Sequence, residues 1–179
     1  MNLWTLRHPP TDAKGICVGQ HHVPLTMSQE EACTDVLNTA PFVPTVVYSS
    51  DLPRCMELAK LLASYWCVPH NIDRRLREIS MGEWEGKSYD SLLDDPRWNV
   101  WCENWLTERP PDGESLLDLQ TRVQSWLDDT EITSQTLLVS HAGVARTLHR
   151  ISGKSWLKAM QEPIVHLRWQ RIPRDPDKE

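Results

Sequence analysis

Two periods run through the pattern of apolar and polar positions in this chain. Short unbroken runs stand at Leu3-Trp4-Thr5-Leu6, Thr45-Val46-Val47-Tyr48 and Leu137-Leu138-Val139-Ser140, each bounded by breakers or charge. Runs of that length and composition predict buried strands. Between them apolar residues recur every three or four positions. Leu52, Met56, Ala59, Leu62 and Ala63 mark a helix down to Trp66, and Leu116, Leu119, Val123, Trp126 and Leu127 mark another to about Asp129. Ser28 with Glu31 forms a capping-box signature for a helix reaching about Asn38, and Val144 to Ile151 predicts a helix ended by Gly153.

Weaker signals complete the pattern. Asn71-Ile72-Asp73 predicts a short strand before a charged stretch, Arg74 to Glu85. Lys87–Leu93 and Asp95–Leu106 predict short helices, the second carrying Trp98, Trp101 and Trp105 on one face. Pro110 to Ser115 is a firm breaker, Ile164 to Trp169 alternates as a half-exposed strand, and the tail 173–179 reads as disordered. Strands that alternate with helices predict an α/β fold, a three-layer α/β/α sandwich on a mainly parallel sheet, in a single domain over 1–172.

The first strand has a sharp end. Proline cannot continue a central strand, so Pro9 and Pro10 stop it at His8. Arg7 and His8 then lie at the C-terminal edge of the sheet, where open α/β sheets carry their sites. His141 follows the 137–140 run in the same way. If the two strands are neighbours, the two histidines face each other across one pocket. Arg54 falls in the first turn of its helix, where the helix dipole disfavours a cation, so it serves something other than the helix.

Composition narrows the possibilities. The 179 residues carry a formal net charge of −6, which argues against general nucleic-acid binding but allows a locally basic site. The five cysteines are odd in number and show no C-x-x-C spacing, so they read as scattered thiols in a reducing compartment. No stretch approaches ~18 apolar residues and no signal pattern opens the chain, so the expectation is a cytoplasmic protein without a membrane partner. Cysteine-phosphatase loop, P-loop and G-x-S-x-G patterns are all missing from the sequence.

Arg7, His8, Arg54 and His141, with Glu78 and Glu83 in the charged loop, make a coherent kit for phosphoryl chemistry. Arginines hold a tetrahedral dianion, a neutral histidine can attack phosphorus, and a carboxyl group can pass a proton to the leaving oxygen. Each residue also has a plainer reading, as a core histidine, a surface cation or a solvated charge. His21-His22 reads as loop polarity rather than a metal pair, and His70, His149 and His166 read as structural. The three spaced tryptophans either pack among themselves or wall a substrate pocket.

The ordered set resembles the histidine phosphatase superfamily, the phosphoglycerate-mutase-like fold. Arg7-His8-Pro9 is similar to its Arg-His-Gly signature, and Ser50-Asp51-Leu52-Pro53-Arg54 to its Ser-x-Leu-x-Arg element. Glu78 to Gly86, Pro111-Asp112-Gly113-Glu114-Ser115 and Val139-Ser140-His141-Ala142-Gly143 complete the series. Gly19-Gln20 and the tryptophan-rich stretch are most like the α-ribazole phosphatase branch of cobalamin synthesis. The resemblance implies a phosphomonoesterase acting on a small-molecule phosphate monoester without metal or other cofactor. It implies His8 as the nucleophile, Glu78 as the proton donor, and Arg7, Arg54 and His141 around the phosphoryl oxygens. Lys14 and Gln20 become further substrate contacts, Lys14 as a point charge where many members carry asparagine. Pro9 and Pro10 depart from the usual Gly-Glu and remove a backbone N–H. A phosphoglycerate-mutase-type transferase and a non-catalytic phospho-ligand module are the alternatives, and a homodimer through exposed tryptophans is open.

Overall fold

The computed structural model describes residues 3–173, so the expected disordered tail lies outside the described residues from position 174 onward. Five strands form one sheet: β1 (Leu3–Arg7), β2 (Val46–Ser49), β3 (His70–Ile72), β4 (Thr136–Ser140) and β5 (Gln170–Ile172). Their order is β3-β2-β4-β1-β5, parallel except for β5, which runs antiparallel to β1. The helices are α1 (Gln29–Asn38), α2 (Pro53–Trp66), α3 (Tyr89–Leu92), α4 (Pro96–Asn104), α5 (Leu116–Asp128), α6 (Ala142–Ile151) and α7 (Trp156–Met160).

The period-2 alternation of β4 divides the core into two layers. Leu137 and Val139 pack with Val36, Leu58 and Leu62 of α1 and α2 on one face. Leu138 packs with Leu119, Val123, Trp126, Val144 and Leu148 of α5 and α6 on the other. This is the expected three-layer sandwich. Helix starts follow local chemistry: Ser28 and Ser115 close capping boxes with Glu31 and Asp118, and Asp95 accepts from the Arg97 amide to begin α4. Among the described residues no helix is long and apolar enough to cross a membrane.

One predicted strand is displaced. The alternation of Ile164 to Trp169 does not produce a strand; the last strand is the next three residues, 170–172. Leu167 sits at φ 56, in the left-handed region, which breaks any regular pairing there. The segment instead hooks onto the end of β1, where the Leu167 amide donates to the Arg7 carbonyl at 3.0 Å. The helix predicted over Lys87–Leu93 shortens to one turn capped by Ser88, and the charged stretch folds as two 3₁₀ turns, Arg74–Leu76 and Gly82–Trp84.

Leu138 is fully buried in the central strand between α5 and α6. Leu138→Ala is expected to cost about 2–5 kcal/mol of folding stability, read as a lower urea midpoint at unchanged slope. A loss below about 1 kcal/mol would show that this layer of the core relaxes around the cavity.

Candidate active site

The site begins with strand register. Arg7 pairs with Ser140, so one step further on the two parallel strands place His8 beside His141. The His8 amide donates to the Ser140 carbonyl at 3.0 Å, and the two rings lie 5.2 Å apart between centroids. Both are buried, at 6% and 1% exposure. His8 Nδ1 lies 2.7 Å from the Pro9 carbonyl oxygen, which can only accept, so the ring's proton is on Nδ1 and Nε2 keeps its lone pair. Proline therefore retains the one backbone group that orients this ring. Burial, and then the Arg54 charge, push the His8 pKa well below the ordinary histidine value. Burial and then His8 and Arg54 do the same to His141, so both imidazoles are neutral in the free protein.

Cations crowd around this pair. Arg54 follows Pro53 in the first turn of α2 and is 5% exposed. It donates to the carbonyls of His21 at 3.0 Å and Gly19 at 2.8 Å. Arg7 donates to the Ile164 carbonyl at 2.9 Å. With Lys14 and Arg146 they line a cavity of ≈ 640 Å³ that also holds His8, and Glu78 is the one carboxylate on its wall. The Nε atoms of Arg7, Arg54 and Arg146 are buried without an acceptor among the described residues. This wall can take a dianion through several charge-assisted hydrogen bonds.

Glu78 is placed by helix α6. Its Oε2 accepts from the Gly143 amide at 3.2 Å and its Oε1 from the Ile79 amide at 3.0 Å. A Cβ on residue 143 would stand 2.1 Å from Glu78 Oε1, so only glycine lets the carboxylate come this close. The Glu78 carbonyl accepts from Gln20 Nε2 at 3.0 Å and Arg122 Nη2 at 2.9 Å. Arg122 also bonds the Arg75 and Arg77 carbonyls and pairs with Glu114, which in turn receives the Ser80 amide. The Pro-Asp-Gly-Glu-Ser turn thus braces the loop that carries Glu78.

Arg7, His8, Lys14, Arg54 and Glu78 line this cavity, and His141 stands beside His8 without reaching the wall. Two expectations change. Gln20 is not on the cavity wall, because its amide is held between the Glu78 carbonyl and Arg77 at 3.2 Å; it positions Glu78. Glu83 points outward and pairs with Arg97 at 3.4 Å. His166, read as structural, keeps that role at the site itself: its Nδ1 donates to the His8 carbonyl at 2.7 Å and its ring stands 5.1 Å from the His8 ring. Trp98 and Trp101 satisfy both readings of the tryptophan row. They stack 5.3 Å apart and pack on buried Trp84, yet they also line the cavity. Trp105 turns away toward Trp156. Arg146 was missed, although it lies one helical turn after Ala142-Gly143 and so shares their face. The Cys55 thiol sits 3.4 Å from His141 Nε2, and burial raises its pKa, which makes it an inert neighbour.

Comparison with known proteins agrees with this geometry. Residues 3–172 match the model of the Histidine phosphatase superfamily (branch 1). An adenosylcobalamin/alpha-ribazole phosphatase of Salmonella typhimurium is 32% identical over 158 residues, 83% of this chain and 77% of that one. A protein named probable phosphoglycerate mutase GpmB, from Enterobacter sp., is 35% identical over 153 residues, 81% of this chain and 71% of its own length. The crystal structure of the alpha-ribazole phosphatase from Shigella flexneri superposes with a TM-score of 0.83 at 25% identity, covering 96% of this chain and 89% of that one. The chain is a phosphatase of the histidine phosphatase superfamily.

Proposed function

We propose that this phosphatase hydrolyses a phosphate monoester through a phosphohistidine on His8. The observation that carries the reading is the His8 ring, whose Nδ1 proton is committed to the Pro9 carbonyl while arginines and a single carboxylate surround the rest of the pocket. In the first step the His8 Nε2 lone pair forms a bond to phosphorus as the bond to the ester oxygen breaks. Glu78 passes its proton to that oxygen, and the alcohol leaves. In the second step Glu78 takes a proton from water, the water oxygen bonds to phosphorus, the N–P bond breaks, and inorganic phosphate departs. Arg7, Arg54 and His141 hold the oxygens while charge shifts among them.

For the substrate we infer an ester of the α-ribazole 5′-phosphate kind. Support comes from the names of the relatives and from the tryptophans on the cavity wall. A phosphoglycerate-type mutase is the second reading, favoured by the similarity to GpmB and by Lys14 and Arg146, which could hold a substrate carboxylate. A panel of α-ribazole 5′-phosphate, 3-phosphoglycerate and an aryl phosphate separates them. The first reading predicts preferred release of phosphate from the ribazole ester, and formation of 2-phosphoglycerate would favour the second.

His8→Ala should lose both turnover and the acid-labile phosphoenzyme seen on rapid quenching. Turnover retained in that variant would end the phosphohistidine reading. Glu78→Gln should slow alkyl esters by about 10²–10⁴-fold and barely affect an aryl ester with a good leaving group, since general acid help matters only for a poor one. Equal slowing of both would remove the proton-donor role.

The neutral histidines also set a pH dependence. His8 and His141 have folded pKa values below the ordinary value of about 6.5, so the unfolded chain binds their protons first as pH falls. Their contribution to stability is full above that value and is lost as pH drops below it toward the folded values. The urea midpoint of the ligand-free protein should fall between about pH 7.5 and about pH 5.5, and fall less in His8→Gln. An identical slope in the variant would show that His8 is not held neutral.

A further inference from the structure

Two prolines follow His8, and they limit what can hold it. Pro9 and Pro10 have no N–H, so the turn that leaves β1 is tied down through its carbonyls. The His8 carbonyl accepts from His166 Nδ1 at 2.7 Å, and the Pro10 carbonyl accepts from the Thr26 amide at 3.0 Å. Between them lies the Pro9 carbonyl, which accepts from His8 Nδ1 at 2.7 Å and so orients the ring. Because the proline ring locks φ, only ψ of Pro9 separates the peptide plane of the His8 carbonyl from that of the Pro9 carbonyl. His166 fixes the first of these planes. The segment that carries it is clasped to β1, with Arg7 Nη1 on the Ile164 carbonyl at 2.9 Å and the Leu167 amide on the Arg7 carbonyl at 3.0 Å. His166 itself does not line the catalytic cavity; it borders a separate cleft of ≈ 410 Å³ beside Pro10 and Met27.

We propose that His166 is a positioning residue for the nucleophile: by holding the His8 carbonyl it aims the Pro9 carbonyl at His8 Nδ1 and so keeps the lone pair on Nε2. This deepens the phosphohistidine reading and rests on it. A neutral imidazole can carry its proton on either nitrogen, and only the Nδ1–H form leaves Nε2 free to attack phosphorus. A Pro9 carbonyl free to swing would give up that choice. The His166 ring also packs on His8, 5.1 Å away between centroids and at 65°. Packing of that kind limits the tilt of the His8 ring but selects no tautomer. The hydrogen bond from His166 Nδ1 selects it, through the backbone, without touching the substrate.

The test replaces His166 in the full chain by asparagine and by leucine. Asparagine keeps an N–H donor close to the place of Nδ1 but loses most of the ring; leucine keeps apolar bulk and loses the donor. Position 166 is half-buried against an open cleft, so neither change leaves a closed void. The first readout is the nitrogen NMR spectrum of His8 in the ligand-free protein. Wild type and His166→Asn should show Nδ1 protonated and Nε2 unprotonated, and His166→Leu should show the two nitrogens averaged. The second readout is kinetic. With p-nitrophenyl phosphate, kcat/KM should fall by about tenfold to about 10²-fold in His166→Leu and by less than about threefold in His166→Asn. The inhibition constant of inorganic phosphate should change by less than about threefold in both, because the cations that hold it are untouched. A single Nδ1–H tautomer in His166→Leu overturns the proposal by itself. So does a leucine variant as active as the asparagine variant, which assigns His166 to packing, or a phosphate inhibition constant that rises in step with the loss of kcat/KM, which moves the effect to the cationic cradle. Turnover retained in His8→Ala overturns the phosphohistidine reading instead, and the spectra, which need no substrate, still decide whether His166 sets the tautomer.

Discussion

The constraint on which this structure depends is the crowding of positive charge at one sheet edge. Arg7, Arg54 and Arg146 line one cavity with His8, whose ring stands beside that of His141. Carboxylates would relieve the repulsion, but they would also cancel the charge that a phosphoryl dianion needs. The fold uses main-chain carbonyls instead. Arg54 is held by Gly19 and His21, Arg7 by Ile164, His8 by Pro9, and His166 by His8. Each carbonyl fixes a direction and lowers the cost of burial while the formal charge stays available. The two histidines stay neutral chiefly because they are buried, and the neighbouring Arg54 charge adds to that.

Much of this was legible in the chain because strand ends are sharp. Pro9 and Pro10 fix where β1 stops, and the unbroken run before His141 fixes where β4 stops. Only the pairing of the two strands had to be assumed, and a parallel ladder in that register brings His8 and His141 together without further adjustment. Arg54 could be suspected from its conflict with the helix dipole. The resemblance supplied Glu78, which periodicity alone could not distinguish from Glu83 five residues later. The difference between them is tertiary: one is aimed at the α6 N-terminus and the other at Arg97.

The residues that were missed share a cause. His166 and Arg146 reach the site from elements whose local pattern says nothing about it. The alternation of Ile164 to Trp169 suggests a strand, yet a left-handed Leu167 turns the segment so that His166 buttresses His8 and Ile164 receives Arg7. Arg146 sits in a helix whose apolar periodicity is explained by α5 and β4. Gln20 reads from the sequence as a substrate contact, and an amide can serve a ligand or a loop equally well. Here Arg77 and the Glu78 carbonyl had taken both its ends.

Because the cradle is held by backbone oxygens, its geometry depends on loop conformation more than on ion pairs. The Gly19 carbonyl that holds Arg54 belongs to a residue at φ 50 whose added Cβ would come within 2.4 Å of Glu85 Oε1. Glu85 in turn receives the Gln20 and Met81 amides, and Gln20 supports Glu78. Arg54 and Glu78 are therefore set by one connected stretch of loop, from 19 to 20 and from 78 to 85. Under the proposed reaction, that shared frame keeps the cations and the acid in place before transfer, which is what electrostatic preorganisation requires.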